Sequence, residues 1–425
     1  MRITYFVNAM MMFESRNTRV LCDPWITFNG ESLSGLYNFP ETNMTRADVT
    51  ELKPDYIYIT HTHADHFDAP TLSLFPRDTP VIVSWYDNNF AARNVTRLGF
   101  RNVIVSDPVH GIPLNGGDHC WLEPSAIYPE VDSVGTFRLD GRVVVNANDN
   151  PFSAAQCASI KERFGPIDLA CVPFSYQGPY PAFYENLDAA EKHCKAEERR
   201  QRHYDTVIRF AQALEPKFLF PFAGGAAYGG SKALLYPFYG VGTPQEAVRR
   251  AQVACNARPI LLSERCAFDL ASGRYTGTYV ERSFETEKAY LQRIAAKPQP
   301  FDAGGLFYIA ESERIDLSKL LQRARERQAA WQTKGRNSTA TYFLDVGEEE
   351  LYRLSLADTR IARMREVEIA ERGFYEIFRV PYPLLIGLLT GHYNWSNVKT
   401  QHVWFKRRPD HFDPDLHLLM SYLQL

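Results

Sequence analysis

Three imidazoles and a carboxylate crowd into six residues of this 425-residue chain, His61-Thr62-His63-Ala64-Asp65-His66. Two histidines one residue apart on a turn, followed by an aspartate and a third histidine, project several ligands into a small volume. Neutral imidazole together with carboxylate suits zinc, iron or manganese. The cluster follows the apolar, β-rich run Tyr56-Ile57-Tyr58-Ile59-Thr60, so it begins where a strand ends, and strand-end loops are where scaffolds usually carry chemistry. A histidine-rich surface turn would explain the residue types but not that placement.

The elements that must position such a loop are legible along most of the chain. Residues 2–25 read as a β-hairpin, in which residues 3–7 and 18–22 flank a polar turn containing Ser15, Arg16 and Asn17, with Asp23-Pro24-Trp25 closing the second strand. Further strands are predicted at 80–84, 103–105, 136–139 with 142–146 across an Asp140-Gly141 turn, and 169–172. A long helix over about 187–214, rich in Glu, Lys and Arg, precedes a strand at 217–220. Strands alternating with helices as far as about residue 270 indicate an α/β sandwich. A charged helix over about 317–332 then leads through Lys334-Gly335-Arg336-Asn337-Ser338 into an aromatic, β-rich tail. The expected division is a metal-binding domain at 1–270, a connecting helical segment at 271–335 and a C-terminal α+β domain at 336–425.

His61, His63, Asp65 and His66 resemble the signature of the metallo-β-lactamase superfamily, which implies an αββα sandwich. By that resemblance Asp23, ending an early strand, corresponds to the buried aspartate that holds the metal loops. Asp149, in Asn146-Ala147-Asn148-Asp149, corresponds to the carboxylate that bridges two metals or completes the second site. Two usual histidines are altered. The third motif reads Ile127-Tyr128-Pro129-Glu130-Val131-Asp132, with Tyr128 nearest the position, and the last reads Pro221-Phe222-Ala223-Gly224-Gly225. Either Tyr128, Glu130 or Asp132 supplies oxygen there or one metal position is weak or empty, and oxygen-rich coordination shifts preference from zinc toward iron or manganese. Pro129-Glu130-Val131-Asp132-Ser133, the strand ending at Asp149, Pro221-Phe222-Ala223-Gly224 and Trp404-Phe405-Lys406-Arg407-Arg408-Pro409 together resemble the CMP-N-acetylneuraminate hydroxylase family. In that family a Rieske iron–sulfur domain precedes this region. No Cys-His pairs of Rieske type occur here, so the resemblance implies a separate Rieske or ferredoxin-type electron donor.

Other residues carry weaker signals. His119-Cys120 follows the turn Asn115-Gly116-Gly117-Asp118, and His119, Cys120 and His110 read as turn and strand residues outside the metal shell. Tyr176, in Phe174-Ser175-Tyr176-Gln177-Gly178-Pro179-Tyr180, could stack on a sugar, and a loop packed on its own core explains it equally. Glu197-Glu198-Arg199-Arg200-Gln201-Arg202 reads as a solvated helix face. In the tail, Lys399, Lys406, Arg407 and Arg408 interleave with His392, Asn394, Trp395, His402 and Trp404. Arg407 and Arg408 could clamp phosphates, and an interdomain or homo-oligomer contact explains them as well. The tail from about Thr341 also resembles sterol-carrier-like modules.

Bulk properties exclude some classes. A net charge of −3, from 47 basic and 50 acidic residues, offers nucleic acid no general polycation. No apolar run approaches the roughly 18 residues of a membrane span. The N-terminus lacks a signal-peptide pattern, and the seven cysteines show no disulfide framework, so the expected location is the cytoplasm. The leading expectation is a non-haem iron oxygenase or hydroxylase acting on an amino-sugar nucleotide or related glycoconjugate precursor. It would hold one or two ions on His61, His63, Asp65, His66, Asp149 and Asp132, with Asp65 and Tyr128 serving catalysis. The alternatives are a metal-dependent hydrolase of a phosphodiester, lactone or amide, and a binding protein without turnover.

Overall fold

The computed structural model of the chain describes residues 1–30, 32, 34–86, 89–107, 109–125, 132–150, 153–176, 178–297, 313–332, 341–370, 375–391, 402–408, 423 and 425. Two β-sheets form the body. In the first, the strand order is Arg274–Thr276, Ala267–Asp269, Arg2–Val7, Met10–Glu14, Arg19–Cys22, Tyr56–Ile59, Val81–Ser84 and Val103–Ser106. In the second it is Arg258–Pro259, Phe218–Phe222, Leu169–Pro173, Arg142–Asn146, Ser133–Leu139, His119–Pro124 and Ile112–Pro113. The first sheet thus continues to Thr276, past the boundary expected near residue 270.

Three apolar layers show why these elements stack as αββα. Alternate residues of each strand face opposite sides, and each side has its own partner. Phe13, Tyr58, Phe137 and Phe220 meet between the sheets. Ile57, Ile59, Val81 and Val83 turn the other way, onto Val49, Leu72 and Val95 from the helices Arg46–Glu51, Ala69–Leu72 and Phe90–Arg97. Val143, Val145, Ala170 and Leu219 pack on Ile160, Val207, Phe210 and Ala251 from Ala154–Phe164, Ala189–Leu214 and Pro244–Ala254. The long helix predicted at about 187–214 is this middle one, started by a reciprocal Asp188–Glu191 capping box.

The N-terminal hairpin expected over residues 2–25 is instead a three-stranded meander. The chain reverses at Asn8-Ala9, so that Val7 pairs with Met10 and Tyr5 with Met11. Asn8 has φ 48°, a left-handed conformation that asparagine tolerates well. Without a glycine or proline there, Met10–Glu14 was not separable from its neighbours in the sequence. The turn at Ser15-Arg16-Asn17 is real but joins the second strand to the third.

The tail forms its own five-stranded sheet, Ala362–Met364, Leu351–Ser355, Thr341–Asp345, Tyr375–Arg379 and Trp404–Arg408. It docks on the sandwich through backbone hydrogen bonds, Glu185 N to Phe405 O at 2.8 Å and Phe405 N to Phe183 O at 3.1 Å. A shared apolar core joins Tyr37, Phe183, Tyr228 and Tyr239 to Tyr342, Leu344, Leu385 and Phe405. Among the described residues no helix is long and apolar enough to cross a membrane.

Candidate metal centre

Parallel pairing fixes where the chemistry sits. Arg19–Cys22, Tyr56–Ile59, Val81–Ser84 and Val103–Ser106 run parallel in one sheet. Arg142–Asn146, Leu169–Pro173 and Phe218–Phe222 run parallel in the other. The C-terminal ends of these strands release Asp23, the His61–His66 loop, Asn148-Asp149, Tyr176 and Ala223-Gly224-Gly225. Tyr58 locks the two sheets at this edge, its hydroxyl 3.0 Å from Ser133 Oγ, which in turn donates to Thr60 O at 2.9 Å.

Asp23 anchors the histidines. Its buried carboxylate accepts Thr60 N at 2.8 Å and Thr60 Oγ1 at 2.7 Å, and Oδ2 lies 2.8 Å from His66 Nδ1. Because Thr60 spends its hydroxyl proton on Asp23, its oxygen is left to accept from His61 Nδ1 at 3.0 Å. The carboxylate assigns the Nδ1 proton on His66, while His61 Nδ1 lies between Thr60 Oγ1 and Asn148 Nδ2, the latter at 3.2 Å. The Nε2 atoms of His61 and His66 face inward, and the Asp23 carboxylate orients the His66 ring from behind, as outer carboxylates do for metal-binding imidazoles.

Two ligand groups converge on one carboxylate. His61 Nε2 and His63 Nδ1 are 2.7 Å apart, and one ligand atom from each of His61, His63 and Asp149 lies within 4.8 Å of the others. His66, whose ring centroid is 4.1 Å from that of His61, places Nε2 3.2 Å from Asp149 Oδ1 and 3.5 Å from Asp65 Oδ2. The 3.2 Å approach lacks hydrogen-bond geometry, so Asp149 Oδ1 is buried without a hydrogen-bond partner among the described residues, as is Asn148 Oδ1.

The electrostatics describe a site short of a cation. Burial raises the Asp65 and Asp149 carboxyls, but nearby histidines outweigh it, His66 and His63 for Asp65 and His66 and His61 for Asp149, and both fall to about 2. Burial disfavours a proton on His66, yet Asp149, Asp65 and Asp23 hold its pKa well above the ordinary value. His61 is pushed well below it, first by burial and then by His66 and His63. One imidazolium thus stands among several carboxylates where a metal ion would neutralise them. The donor set and the orphaned Asp149 oxygen fit such an ion.

The structure gathers His61, His63, Asp65, His66, Asp149, Asp132 and Asp23. Asp132 Oδ1 accepts from Ser133 N at 2.7 Å and Asn148 Nδ2 at 2.6 Å, and burial followed by Asp149 lifts its carboxyl well above the usual range. Tyr128 and Glu130 lie outside the described residues, as do His392, Asn394, Trp395 and Lys399. The Tyr176 hydroxyl is buried without a hydrogen-bond partner among the described residues, and Asp149 and Asp132 help keep its proton on.

Asn8, Asn148 and Arg199 were missed from sequence. Asn8 Nδ2 donates to Asp65 Oδ2 at 3.2 Å. Arg199 is no solvated charge: it donates to Gly178 O, Tyr180 O, Tyr239 O and, at 2.6 Å, Tyr176 O, fixing the loop that carries Tyr176. An asparagine interrupting an otherwise apolar stretch was the one available signal for Asn8.

Arg407 is placed between sandwich and tail. Its guanidinium lies over the rings of Tyr180 and Tyr184 at 4.8 and 4.9 Å, its strand partner is Glu376, and Tyr184 Oη donates to Glu376 Oε1 at 2.9 Å. Arg408 is exposed beside it. Cation–π contacts are worth about 0.5–2 kcal/mol each, so Arg407→Ala is expected to lower Tm while leaving metal content unchanged. Arg408→Ala should stay within about 0.5 kcal/mol of the parent. Thermal denaturation of both variants checks the contrast, and equal stability for Arg407→Ala contradicts it.

Residues 2–121, which contain Asp23 and the whole histidine loop, match the β-lactamase superfamily domain. Over 229 residues the chain is 27% identical to a protein named as a Rieske 2Fe-2S iron–sulfur protein of Mycolicibacterium smegmatis, covering 53% of this chain and 43% of that one. It is 22% identical over 241 residues to the cytidine monophosphate-N-acetylneuraminic acid hydroxylase of Danio rerio, covering 52% of this chain and 38% of the relative. It is 31% identical over 117 residues to a metal-dependent hydrolase of Exiguobacterium sp., covering 28% and 42%. The chain thus spans less than half the length of these relatives. Residues 2–121 thus match the β-lactamase superfamily domain, the body of the chain folds as an αββα sandwich, and its relatives include proteins named as a hydroxylase and as a metal-dependent hydrolase.

Proposed function

We propose that the chain is a metal-dependent hydroxylase whose centre holds two ions sharing Asp149, iron in preference to zinc or manganese, and that electrons reach it from a separate Rieske or ferredoxin-type protein. The observation that carries this reading is that Asp149 lies within reach of the His61 and His63 ligand atoms and also 3.2 Å from His66 Nε2, which itself is 3.5 Å from Asp65. Three nitrogens serve the two positions, and the loop Pro221-Phe222-Ala223 adds none. That oxygen-rich balance favours iron or manganese.

When bound, iron would supply one-electron and dioxygen chemistry. His61 and His63 with Asp149 would hold one ion, and His66 and Asp65 with Asp149 the other. Asp23 holds the Nδ1 side of His66, and Thr60 that of His61, so that both Nε2 atoms are directed inward. The buried Tyr176 hydroxyl would meet the substrate at this edge. An amino-sugar nucleotide substrate rests on the relation to the neuraminate hydroxylase, since Arg407 is engaged with Tyr180 and Tyr184.

The hydrolase relatives favour a second reading, in which the same residues hold zinc to activate water. Protein from iron-supplemented and zinc-supplemented cultures separates the two. The hydroxylase reading expects two irons per chain and an absorption band that bleaches on reduction. Zinc retained from both cultures, with no oxidisable chromophore, overturns it in favour of the hydrolase.

A further inference from the structure

A cleft of about 750 Å³ is lined by the Phe222–Gly225 loop and by none of His61, His63 and His66. Its size falls within the roughly 300–1,000 Å³ usual for small-molecule sites. Its walls are ring-rich, with Tyr5, Phe39, Phe174, Tyr204, Tyr236 and Phe284 contributing. Tyr236 and Phe284 stack with centroids 5.8 Å apart and planes 13° from parallel.

Charge decides what the cleft accepts. The lining carboxylates are Glu41, Glu197, Glu246, Glu264 and Glu285, against the guanidinium groups of Arg200, Arg250 and Arg282. Each guanidinium is already engaged. Arg200 donates to Val241 O at 3.1 Å and Glu197 at 2.5 Å. Arg250 donates to Glu246 at 2.7 Å and covers the Tyr204 ring at 4.5 Å, and Arg282 donates to Glu287 at 2.7 Å. A phosphate or sulfonate would find these guanidinium groups already held, while the lining carboxylates are paired in turn, Glu41 with Arg293, Glu246 also with Arg249 and Glu264 with Arg265, so the lining offers an anion no net attraction. An uncharged or cationic ring would meet aromatic faces and acceptors.

The wall facing the metal centre is thin. Val7 and Gly225 both line the cleft, and Asn8 sits directly behind them. Gly225 N donates to Asn8 Oδ1 at 3.0 Å, and Asn8 Nδ2 donates to Asp65 Oδ2 at 3.2 Å. Gly225 has no slack, since a Cβ there would lie 2.5 Å from Phe39 O and 3.4 Å from Asn8 Cα. Gly225 O also accepts from Phe39 N at 2.8 Å, so a displacement of Gly225 is felt at Phe39 and, through its amide, at Asn8.

We propose that this cleft is a second binding site, for an uncharged or cationic ring-bearing small molecule, and that its occupancy is transmitted to Asp65 through Gly225 and Asn8. N-Phenyl-1-naphthylamine is a neutral fluorescent probe, and 8-anilino-1-naphthalenesulfonate carries the same rings plus a sulfonate. The neutral probe should bind saturably, the sulfonate at least about tenfold more weakly, and Val241→Trp should weaken the neutral probe by about tenfold with metal content unchanged. Equal binding of both probes, or an unaltered Val241→Trp variant, overturns the site. Transmission is read by titrating the full chain with cobalt(II): the probe should shift cobalt affinity, and cobalt should shift probe affinity by the same factor. Asn8→Gly, which tolerates the left-handed backbone, should still bind the probe but lose that factor. A factor of one in the parent protein overturns the transmission, and a factor that survives Asn8→Gly overturns its route.

Discussion

Asp149→Ala is expected to strip the centre of both metal ions, whereas His63→Ala should leave one ion bound. The difference follows from geometry: Asp149 lies within reach of the His61 and His63 ligand atoms and 3.2 Å from His66 Nε2, while His63 serves only the first group. Loss of an outer-shell partner already costs about 10–100-fold in metal affinity, so removing a direct, shared ligand should cost more than about 100-fold at each position. Elemental analysis of folded, dialysed variants reads this directly. An Asp149→Ala variant that keeps both ions would contradict the shared-carboxylate arrangement.

Asp23→Ala should have the largest effect on stability. The carboxylate is buried and satisfies Thr60 N, Thr60 Oγ1 and His66 Nδ1 together. Breaking a buried pair by removing one partner costs about 3–5 kcal/mol, and Asp23→Ala also leaves the Thr60 amide without its acceptor. Urea denaturation of metal-free protein should show a loss of that size. Metal affinity should fall only about 10–100-fold, because Asp23 acts through His66 and Thr60. Unchanged stability with complete loss of metal would instead make Asp23 a ligand.

The parts of this molecule legible in sequence are those with short-range signals. Alternating strands such as Tyr56–Ile59 and Arg142–Asn146 announce themselves by apolar period and turn residues. The histidine loop is legible because its ligands are adjacent in the chain. Residues that act across long separations were not. Asn8 reaches Asp65 across 57 positions, and Asn148 comes within 3.2 Å of His61 across 87. Arg199 reads as one more charge on a charged helix, and only the folded loop at 176–180 supplies the carbonyls that employ it. Sequence alone leaves Arg407 open between an anion site and a domain contact. A basic and aromatic tail looks like an anion site, but the same rings and guanidinium pack a domain contact once Phe183 and Phe405 pair.

The most direct test of the account is a crystal of iron-loaded protein measured on both sides of the iron absorption edge. The account predicts two anomalous peaks flanking Asp149, one against His61 and His63 and the other against His66 and Asp65. A single peak away from Asp149, or iron bound elsewhere with these side chains still in mutual contact, would contradict it.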